Sequence, residues 1–339
     1  MSESIYNIYA CTNGEYIYKY DWEEAVWIQL VGSGKRNWRG ITNSDTGDII
    51  LSCAFNDFIY KSINKGITWN PVTISLSKRN WTSICCSADS KTIIACATWN
   101  LYGPGDDEFG TGDYIYISRN SGTSWTPVTG EVGYNNNGKS LWSSVACSSG
   151  FDEGFSPVAL VIAAGELNGN VWVSIDSGFT WTNASADKAA FRTQNGPNYF
   201  TTADLVVSTD GLVISLVTIP ESTDIGTAYT SKDSGITWRR FALGQSSSCI
   251  TCSGDGSLIA VGTGDNRIYT SIDTGFSFNQ QFGSPPNTWS TITISPDNDL
   301  YVAAAYGGFI YSSTNGKDWT LDKASPKKQW IDSCIAADS

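Results

Sequence analysis

The chain has 339 residues, of which 41% are hydrophobic and 16% charged, and its net charge is −12. This acidic balance argues against nucleic acid as the main partner, because neutralising phosphates requires a surplus of Lys and Arg. The sequence contains no His, which excludes His-based catalytic triads, His metal sites and His proton relays.

The N-terminal stretch MSESIYNIYACTNG lacks a basic segment followed by an apolar one, so we predict no secretory signal. No run of about 18 apolar residues occurs, so we expect no membrane insertion. Nine cysteines without a signal indicate free thiols in the cytoplasm or another reducing compartment; secretion with the leader removed is the alternative. CITC (249–252) has metal or redox spacing, but in a strand its cysteines face opposite sides, so no metal or cofactor is predicted.

Short apolar runs bounded by Gly, Asn, Asp and Ser recur along the chain and predict an all-β protein. An octapeptide ending in an aromatic residue repeats every 40 to 57 residues, a period typical of propellers or solenoids. Its copies are YDWEEAVW (20–27, degenerate), SINKGITW (62–69), SRNSGTSW (118–125), SIDSGFTW (174–181), SKDSGITW (231–238), SIDTGFSF (271–278) and SSTNGKDW (312–319).

Each octapeptide is expected to join two short strands. Its Asp or Asn caps backbone amides, its Gly tolerates positive φ, and its Trp covers the hairpin. These structural positions are Asn64, Gly66, Trp69, Asn120, Gly122, Trp125, Asp176, Gly178, Trp181, Asp233, Gly235, Trp238, Asp273 and Gly275.

The octapeptide resembles the Asp-box, or BNR, repeat S-x-D-x-G-x-T-W, and the resemblance covers nearly the whole chain. It implies a β-propeller of the superfamily that includes sialidases, sortilin-type receptor domains and the photosystem II assembly factor. In that family the box joins the third and fourth strands of a blade, away from the ligand face. Each unit also has an upstream half that reads as strand, Ser-x-Asp turn and strand, as in NWTSICCSADSKTIIAC (80–96).

Four strands per unit predict a single seven-bladed β-propeller over residues 1–339. The chain begins at a second strand and ends with an isolated first strand, QWIDSCIAADS (329–339), so this last strand is expected to pair with the N-terminal blade and close the ring. The predicted blades cover residues 1–30 plus 329–339, 37–73, 80–129, 140–184, 198–243, 246–282 and 287–322.

The ligand face is expected to carry the loops between blades and between second and third strands, where the longest insertions fall. Basic residues close to the first-strand Trp residues oppose the overall charge and indicate an anionic ligand; ordinary lysines that compensate nearby carboxylates are the alternative. These basic residues are Lys35, Arg36, Arg39, Lys78, Arg79, Lys139, Lys327 and Lys328. The candidate ligand-binding residues are Trp38, Arg39, Arg79, Trp81, Trp99, Tyr102, Tyr134, Trp142, Phe191, Arg192, Trp289 and Trp330.

We favour a non-catalytic binding propeller, either lectin-like or protein-docking, with a carbohydrate or protein ligand. Sialidases of the family carry an Arg-Ile-Pro-type motif and three arginines; the motif is absent here and no convincing arginine triad can be assembled, so sialidase activity is not expected. The alternative is a glycoside hydrolase that uses paired carboxylates. Its candidate carboxylates are Asp106, Asp107, Glu166, Glu221 and Asp224, and a Ca²⁺ site at Asp106, Asp107 and Glu108 is a further alternative.

Overall fold

The computed structural model describes residues 6–98, 112–133, 137–150, 158–167, 169–186, 189–193, 196–197, 200–220, 226–264 and 267–337. Over this part of the chain the structure is built from antiparallel strands, with two short 3-10 turns at Val31–Ser33 and Ala189–Phe191. None of its helical segments is long or apolar enough to cross a membrane. The predicted all-β fold is confirmed.

Grouped by their main pairings, the strands of the described residues form seven units of four strands and one separate hairpin. Short pairings at strand ends join units 7, 1, 2 and 3 into one 16-stranded sheet. Unit 1 contains β1 (Tyr6–Glu15), β2 (Ile17–Asp21) and β3 (Val26–Leu30), and unit 2 contains β4 (Arg36–Asn43), β5 (Ile50–Asp57), β6 (Ile59–Ser62) and β7 (Asn70–Val72). Unit 3 contains β8 (Arg79–Cys86), β9 (Ile93–Thr98), β10 (Ile115–Ser118) and β11 (Thr126–Pro127). Unit 4 contains β12 (Trp142–Cys147), β13 (Ile162–Glu166), β14 (Val171–Ser174) and β15 (Thr182–Asn183).

The remaining strands complete units 5 to 7 and return to unit 1. Strands β16 (Arg192–Thr193) and β17 (Gly196–Pro197) form a separate hairpin. Unit 5 contains β18 (Phe200–Val207), β19 (Ile214–Pro220), β20 (Thr227–Ser231) and β21 (Arg239–Ala242), and unit 6 contains β22 (Ser247–Cys252), β23 (Ile259–Thr263), β24 (Tyr269–Ser271) and β25 (Asn279–Gln280). Unit 7 contains β26 (Trp289–Ile294), β27 (Tyr301–Gly308), β28 (Ile310–Ser313) and β29 (Thr320–Leu321), and the last strand, β30 (Lys328–Ala337), belongs to unit 1.

The two ends of the chain meet in unit 1. Strand β30 pairs antiparallel with β1 from Tyr6↔Ala337 to Thr12↔Trp330, so the last strand serves as the first strand of this unit. One cavity of about 310 Å³ is lined by the first strand of each unit, namely β4, β8, β12, β18, β22, β26 and β30. We call this shared cavity the channel.

The octapeptides of units 2 to 6 have the expected turn geometry. In unit 5, Asp233 Oδ1 accepts the amide of Thr237 at 2.7 Å, and Ser231 Oγ accepts the amide of Gly235 at 2.8 Å. The corresponding Oδ1 atoms accept the equivalent amide at 2.8–2.9 Å in Asn64, Asn120, Asp176 and Asp273. The turn glycines have φ between +72° and +88°, and the Trp ring nitrogens donate to their carbonyls in Trp69, Trp125, Trp181 and Trp238. In these five turns the Asp or Asn side chain therefore caps a backbone amide, the glycine adopts positive φ, and the Trp, where present, closes the turn.

The octapeptide of unit 7 is one residue shorter than the alignment on its glycine implied. Ser313 Oγ, and not that of Ser312, accepts the amide of Asn315 at 3.3 Å and donates to its Oδ1 at 3.1 Å. Only one residue step separates Asn315 from Gly316, against two in the other copies.

The degenerate copy at 20–27 forms a different turn. Tyr20 pairs with Trp27 and Asp21 with Val26, so the strands run on and leave a four-residue turn, 22–25. Asp21 Oδ1 caps this turn by accepting the amides of Glu23 and Glu24 at 2.9 and 3.2 Å. The physical reason is that this segment has neither the serine nor the glycine on which the octapeptide turn depends.

Adjacent units are joined at the octapeptide end by two kinds of contact. A Cβ placed on Gly275 would lie 2.3 Å from Thr230 Oγ1 of the preceding unit, so only glycine allows this close approach. A chain of backbone hydrogen bonds also runs between the turns that join first and second strands in units 2 to 6, from Asp45 to Ala88, Ala88 to Ser149, Ser149 to Thr209 and Thr209 to Gly254.

Removal of residues 328–339 should open unit 1, because β1 loses its partner and the buried Trp330 is lost. Truncating one buried Trp alone costs about 3–5 kcal/mol, so we expect the Tm to fall by at least about 5 °C for a domain of this size. Thermal unfolding followed by circular dichroism measures this, with a chain that ends at Ala337 as the control. Equal melting of the two chains would contradict closure by β30.

Replacement of Gly275 with Ala should destabilise the protein more than replacement of Gly244. Both glycines have positive φ, +72° and +79°, but nothing lies within 4 Å of a Cβ on Gly244. The backbone strain of an Ala should be similar at the two positions. The close approach to Thr230 should therefore lower the free energy of unfolding of Gly275→Ala by about a further 1–3 kcal/mol, through overpacking. Urea unfolding of both variants measures the difference, and equal losses would show that inter-unit contact contributes little.

Candidate functional site

The five first-strand tryptophans are packing residues. Trp38, Trp81, Trp142, Trp289 and Trp330 are all 0% exposed. Trp38, for example, lies edge-on to Tyr60 with ring centroids 5.4 Å apart, and its Nε1 donates to the Glu15 carbonyl at 3.1 Å. A ligand has no access to these rings, which corrects the expectation that they line the mouth as stacking surfaces.

Phe191 is also closed to a ligand. It is 5% exposed and stacks on Tyr229 with centroids 4.4 Å apart, while Trp238 meets its edge. Glu166, a candidate catalytic carboxylate, is 0% exposed and accepts from Asn170 Nδ2 and Trp172 Nε1, each at 2.9 Å. Both residues stabilise the core of their regions. The candidates that lie outside the described residues are Trp99, Tyr102, Tyr134, the Arg192 side chain, Asp106, Asp107, Glu108, Glu221 and Asp224.

The basic residues form an ordered cluster at the end of the sheets opposite the octapeptides. There, second strands end, third strands begin, and the first strand of the next unit starts. Five cationic side chains share three carboxylates at this end. The ion pairs are Lys35–Glu15 at 3.5 Å, Lys328–Glu15 at 3.5 Å, Arg36–Asp57 at 3.2 Å, Lys78–Asp57 at 3.1 Å and Arg79–Asp113 at 2.6 Å. We call these residues, with Arg39, Lys139 and Lys327, the basic rim.

Aromatic rings hold the basic rim in place. The guanidinium of Arg36 lies 4.0 Å from the Tyr60 ring centre, and that of Arg79 lies 4.7 Å from Tyr116. Each leading lysine sits over an aromatic ring of the preceding unit, in the pairs Lys35–Tyr16, Lys78–Phe58, Lys139–Tyr114 and Lys327–Phe309, at 5.2–5.5 Å. Such contacts restrain long side chains and leave their charged ends at the surface.

Among the described residues, the ion-paired part of the rim has more cations than carboxylates. Burial disfavours the Lys328 ammonium, but Tyr18 and Glu15 outweigh that effect and raise its pKa, so this side chain stays charged. Local carboxylates do compensate part of the cluster, as the alternative expectation held. They are nevertheless outnumbered, and Arg39 additionally lines the channel, 5.3 Å from the Phe55 ring.

The sequence interpretation missed the partners of the basic residues. A second repeat in the sequence marks these partners: an acidic residue followed by an aromatic residue, Ile and Tyr at the start of the third strand. It occurs as EYIY (15–18), DFIY (57–60) and DYIY (113–116), and each copy supplies one carboxylate and both rings. Aligned with the KRNW and KKQW segments, this repeat could have identified the cluster.

Two carboxylates face the channel below the rim. Each first strand has a β-bulge near its start, and Asp204 and Asp332 occupy the position that follows it. Asp204 Oδ2 accepts the Ile250 amide of the next unit at 3.0 Å, and Asp332 Oδ2 accepts that of Ile41 at 2.9 Å. Their Oδ1 atoms accept amides of their own strands at 2.8 Å. Both carboxylates thus bridge neighbouring units.

Burial raises the pKa of both channel carboxylates, of Asp204 to about 7 and of Asp332 to about 6. The charge on Asp332 adds to the rise at Asp204, whereas the amide hydrogen bonds oppose it. Because both folded-state values exceed the usual value near 4, the native chain binds more protons than the unfolded chain between these limits.

Their stabilising effect is therefore full at about pH 4 and lost as the pH rises through about 6–7. We expect the Tm of Asp204→Asn to fall less between about pH 5 and pH 8 than that of the wild type. Thermal melts at both pH values measure this, with the exposed-residue variant Glu131→Gln as the control. An unchanged slope in Asp204→Asn would contradict the raised pKa.

The thiols and acids give no further chemical centre over the described residues. The nine cysteines are free, and burial raises the pKa of Cys96, for instance, to about 12, so it remains a protonated packing group. CITC lies within strand β22, as expected. No group of three or more acidic or Cys side chains in the described part of the chain could hold a metal ion.

The fold is that of a β-propeller. Similar solved structures include YCF48 from Cyanidioschyzon merolae (TM-score 0.59, 13% identity, 89% of this chain and 90% of that one) and YCF48 bound to a D1 peptide (0.55, 12%, 85% and 82%). An ancestral GH74 enzyme is also similar (0.61, 16%), with 93% of this chain covering 44% of the enzyme chain. No family model matches the sequence, and comparison with curated proteins found no match. These likenesses show the fold alone.

Proposed function

We propose that this chain is a non-catalytic propeller that docks an acidic segment of a partner protein on its basic rim. The observation that carries the proposal is that, in the described part of the chain, five cations share three carboxylates, although the net charge of the chain is −12. A local excess of ordered Arg and Lys attracts carboxylates, and bidentate guanidinium contacts orient them. The likeness to YCF48, of which one structure contains a D1 peptide, supports a peptide ligand.

We also propose that the seven units are the seven blades of one Asp-box propeller. The capped octapeptide turns of units 2 to 6, the pairing of β1 with β30 and the shared channel support this assignment. The octapeptides then lie on the face opposite the rim. They serve to build the blades and leave the rim free for a ligand.

Glycoside hydrolysis is the weaker candidate, supported by the fold likeness to the ancestral GH74 enzyme. It requires a carboxylic acid and a second carboxylate that reach the substrate. The channel pair Asp204 and Asp332 instead has both oxygens of each carboxylate engaged by backbone amides. Glu166 is enclosed by Asn170 and Trp172. These carboxylates are engaged in holding the fold together.

Charge reversal on the rim should weaken binding of an acidic peptide. The probe is a fluorescein-labelled peptide of alternating Glu and Ser, and the variant combines Arg39→Glu with Lys327→Glu. Each reversal removes about 1 kcal/mol of attraction, so we expect the Kd to rise by about tenfold or more. The matched control, Lys91→Glu with Lys317→Glu, makes the same charge change at the octapeptide end and should alter the Kd by less than about twofold.

Fluorescence anisotropy at fixed salt gives these affinities. Equal weakening in both double variants would mean nonspecific attraction and would contradict docking at the rim. Tighter binding of polygalacturonate than of the peptide would favour a lectin. Release of reducing ends from xyloglucan, abolished by Asp204→Asn, would favour the hydrolase.

A further inference from the structure

A second surface lies between units 1 and 7, and runs from the turn 22–25 at the octapeptide end to residues 322–324, which follow strand β29. It is a groove of about 550 Å³ with mainly apolar walls, within the range of about 300–1,000 Å³ typical of ligand sites. We call it the seam groove. Its apolar floor comes from Ile8, Trp27, Val302 and Ile310, each 2–8% exposed, and its accessible edge comes from Trp22 and Leu321.

The groove exists because unit 1 lacks the octapeptide turn. In unit 2, the turn glycine Gly66 packs so closely on the preceding unit that a Cβ there would lie 2.6 Å from Leu30 Cδ1. The same closure occurs in unit 4, where a Cβ on Gly178 would lie 2.3 Å from Ile117 Cδ1. In unit 1 the aligned position is Glu24, and the tight turn 22–25 does not fill the space beside unit 7.

The two indole rings of the groove are held in place by hydrogen bonds from their ring nitrogens. Trp22 Nε1 donates to the Tyr6 carbonyl at 2.5 Å, and Trp27 Nε1 donates to Asp322 Oδ2 at 2.7 Å. Trp22 nevertheless remains 41% exposed. Tyr20 packs between these two indoles, with centroid distances of 4.8 and 5.4 Å. A fixed, exposed indole beside an apolar cleft is the arrangement that anchors large side chains at protein interfaces.

The charges around the groove select the occupant. Its turn carries Asp21, Glu23 and Glu24, and its opposite wall carries Asp322, against the single ammonium of Lys323. Burial raises the pKa of Tyr20, and the charges of Asp322 and Asp21 raise it further. The acidic side chains at both edges give the groove a negative potential. This potential is opposite in sign to that of the basic rim.

We infer that the seam groove docks a partner-protein segment in which large apolar side chains are flanked by Lys or Arg. The apolar side chains fill the cleft against Trp22 and Trp27, and the flanking cations meet Glu23, Glu24 and Asp322. The site is independent of the proposed docking of acidic segments, since its lining shares no residue with the basic rim and it selects the opposite charge. The chain would then hold two partners, or two parts of one partner, at once.

The test uses a fluorescein-labelled peptide with the sequence Lys-Lys-Leu-Phe-Lys-Lys. Two matched peptides replace either the apolar pair by Ser or all four lysines by Glu. Of the three peptides, we expect only the one with both the apolar pair and the four lysines to bind the wild-type chain. Its Kd should rise by at least about tenfold in the double variant Glu23→Lys with Glu24→Lys, and in Trp22→Ala. The exposed double variant keeps the test valid if Trp22→Ala fails to fold.

Two controls separate this site from the rim and from general charge. Glu131→Lys, an exposed reversal elsewhere, and the rim variant Arg39→Glu with Lys327→Glu should bind the peptide as the wild type does. Equal binding by the groove variants, equal binding of the Ser peptide, or no binding at all would overturn the inference. A wild-type dimer in sedimentation that the groove variants lose would identify a second copy as the occupant and would also overturn it.

Discussion

The antiparallel pairing of β30 with β1 is the contact on which the rest of the structure depends. It joins residues more than 300 positions apart, and its loss would leave two long strands with unpaired backbone groups beside the channel. The same strand brings Trp330 into the core, Asp332 into the channel and Lys328 into the basic rim. Core, channel and rim are therefore all completed by one closure.

Repetition accounts for most of what the molecule presents to a ligand. Because each unit places its second-strand end beside the first strand of the next, a modest motif repeated in units 1 to 3 builds a continuous cluster of cations, rings and carboxylates. The channel follows the same rule, since bulged first strands place Asp204 and Asp332 at equivalent positions, where each bridges to the following unit.

The seam groove arises where the repetition fails. In units 2, 4, 5 and 6 the octapeptide turn brings its glycine against the preceding unit, and the different turn of unit 1 has no glycine to do so. Trp22 lies beside the space that remains. Glu23 and Glu24, which stand where the other copies have the turn glycine and the residue before it, make the edge of this space acidic. One chain thus presents a cationic surface where its units agree and an anionic, apolar surface where one unit differs.

The sequence alone determined the all-β class, the strand pairs around each octapeptide and the roles of residues such as Asp233 and Gly235, because these depend on contacts within a few residues. The tertiary structure decided which side chains remain accessible. Trp38 and Trp330 look like ligand-binding aromatics in the sequence, yet neighbouring units bury them completely. The partners of Arg36 and Arg79, the bridging by Asp204 and the open seam likewise depend on groups from other strands, or from adjacent units, whose proximity no local pattern encodes.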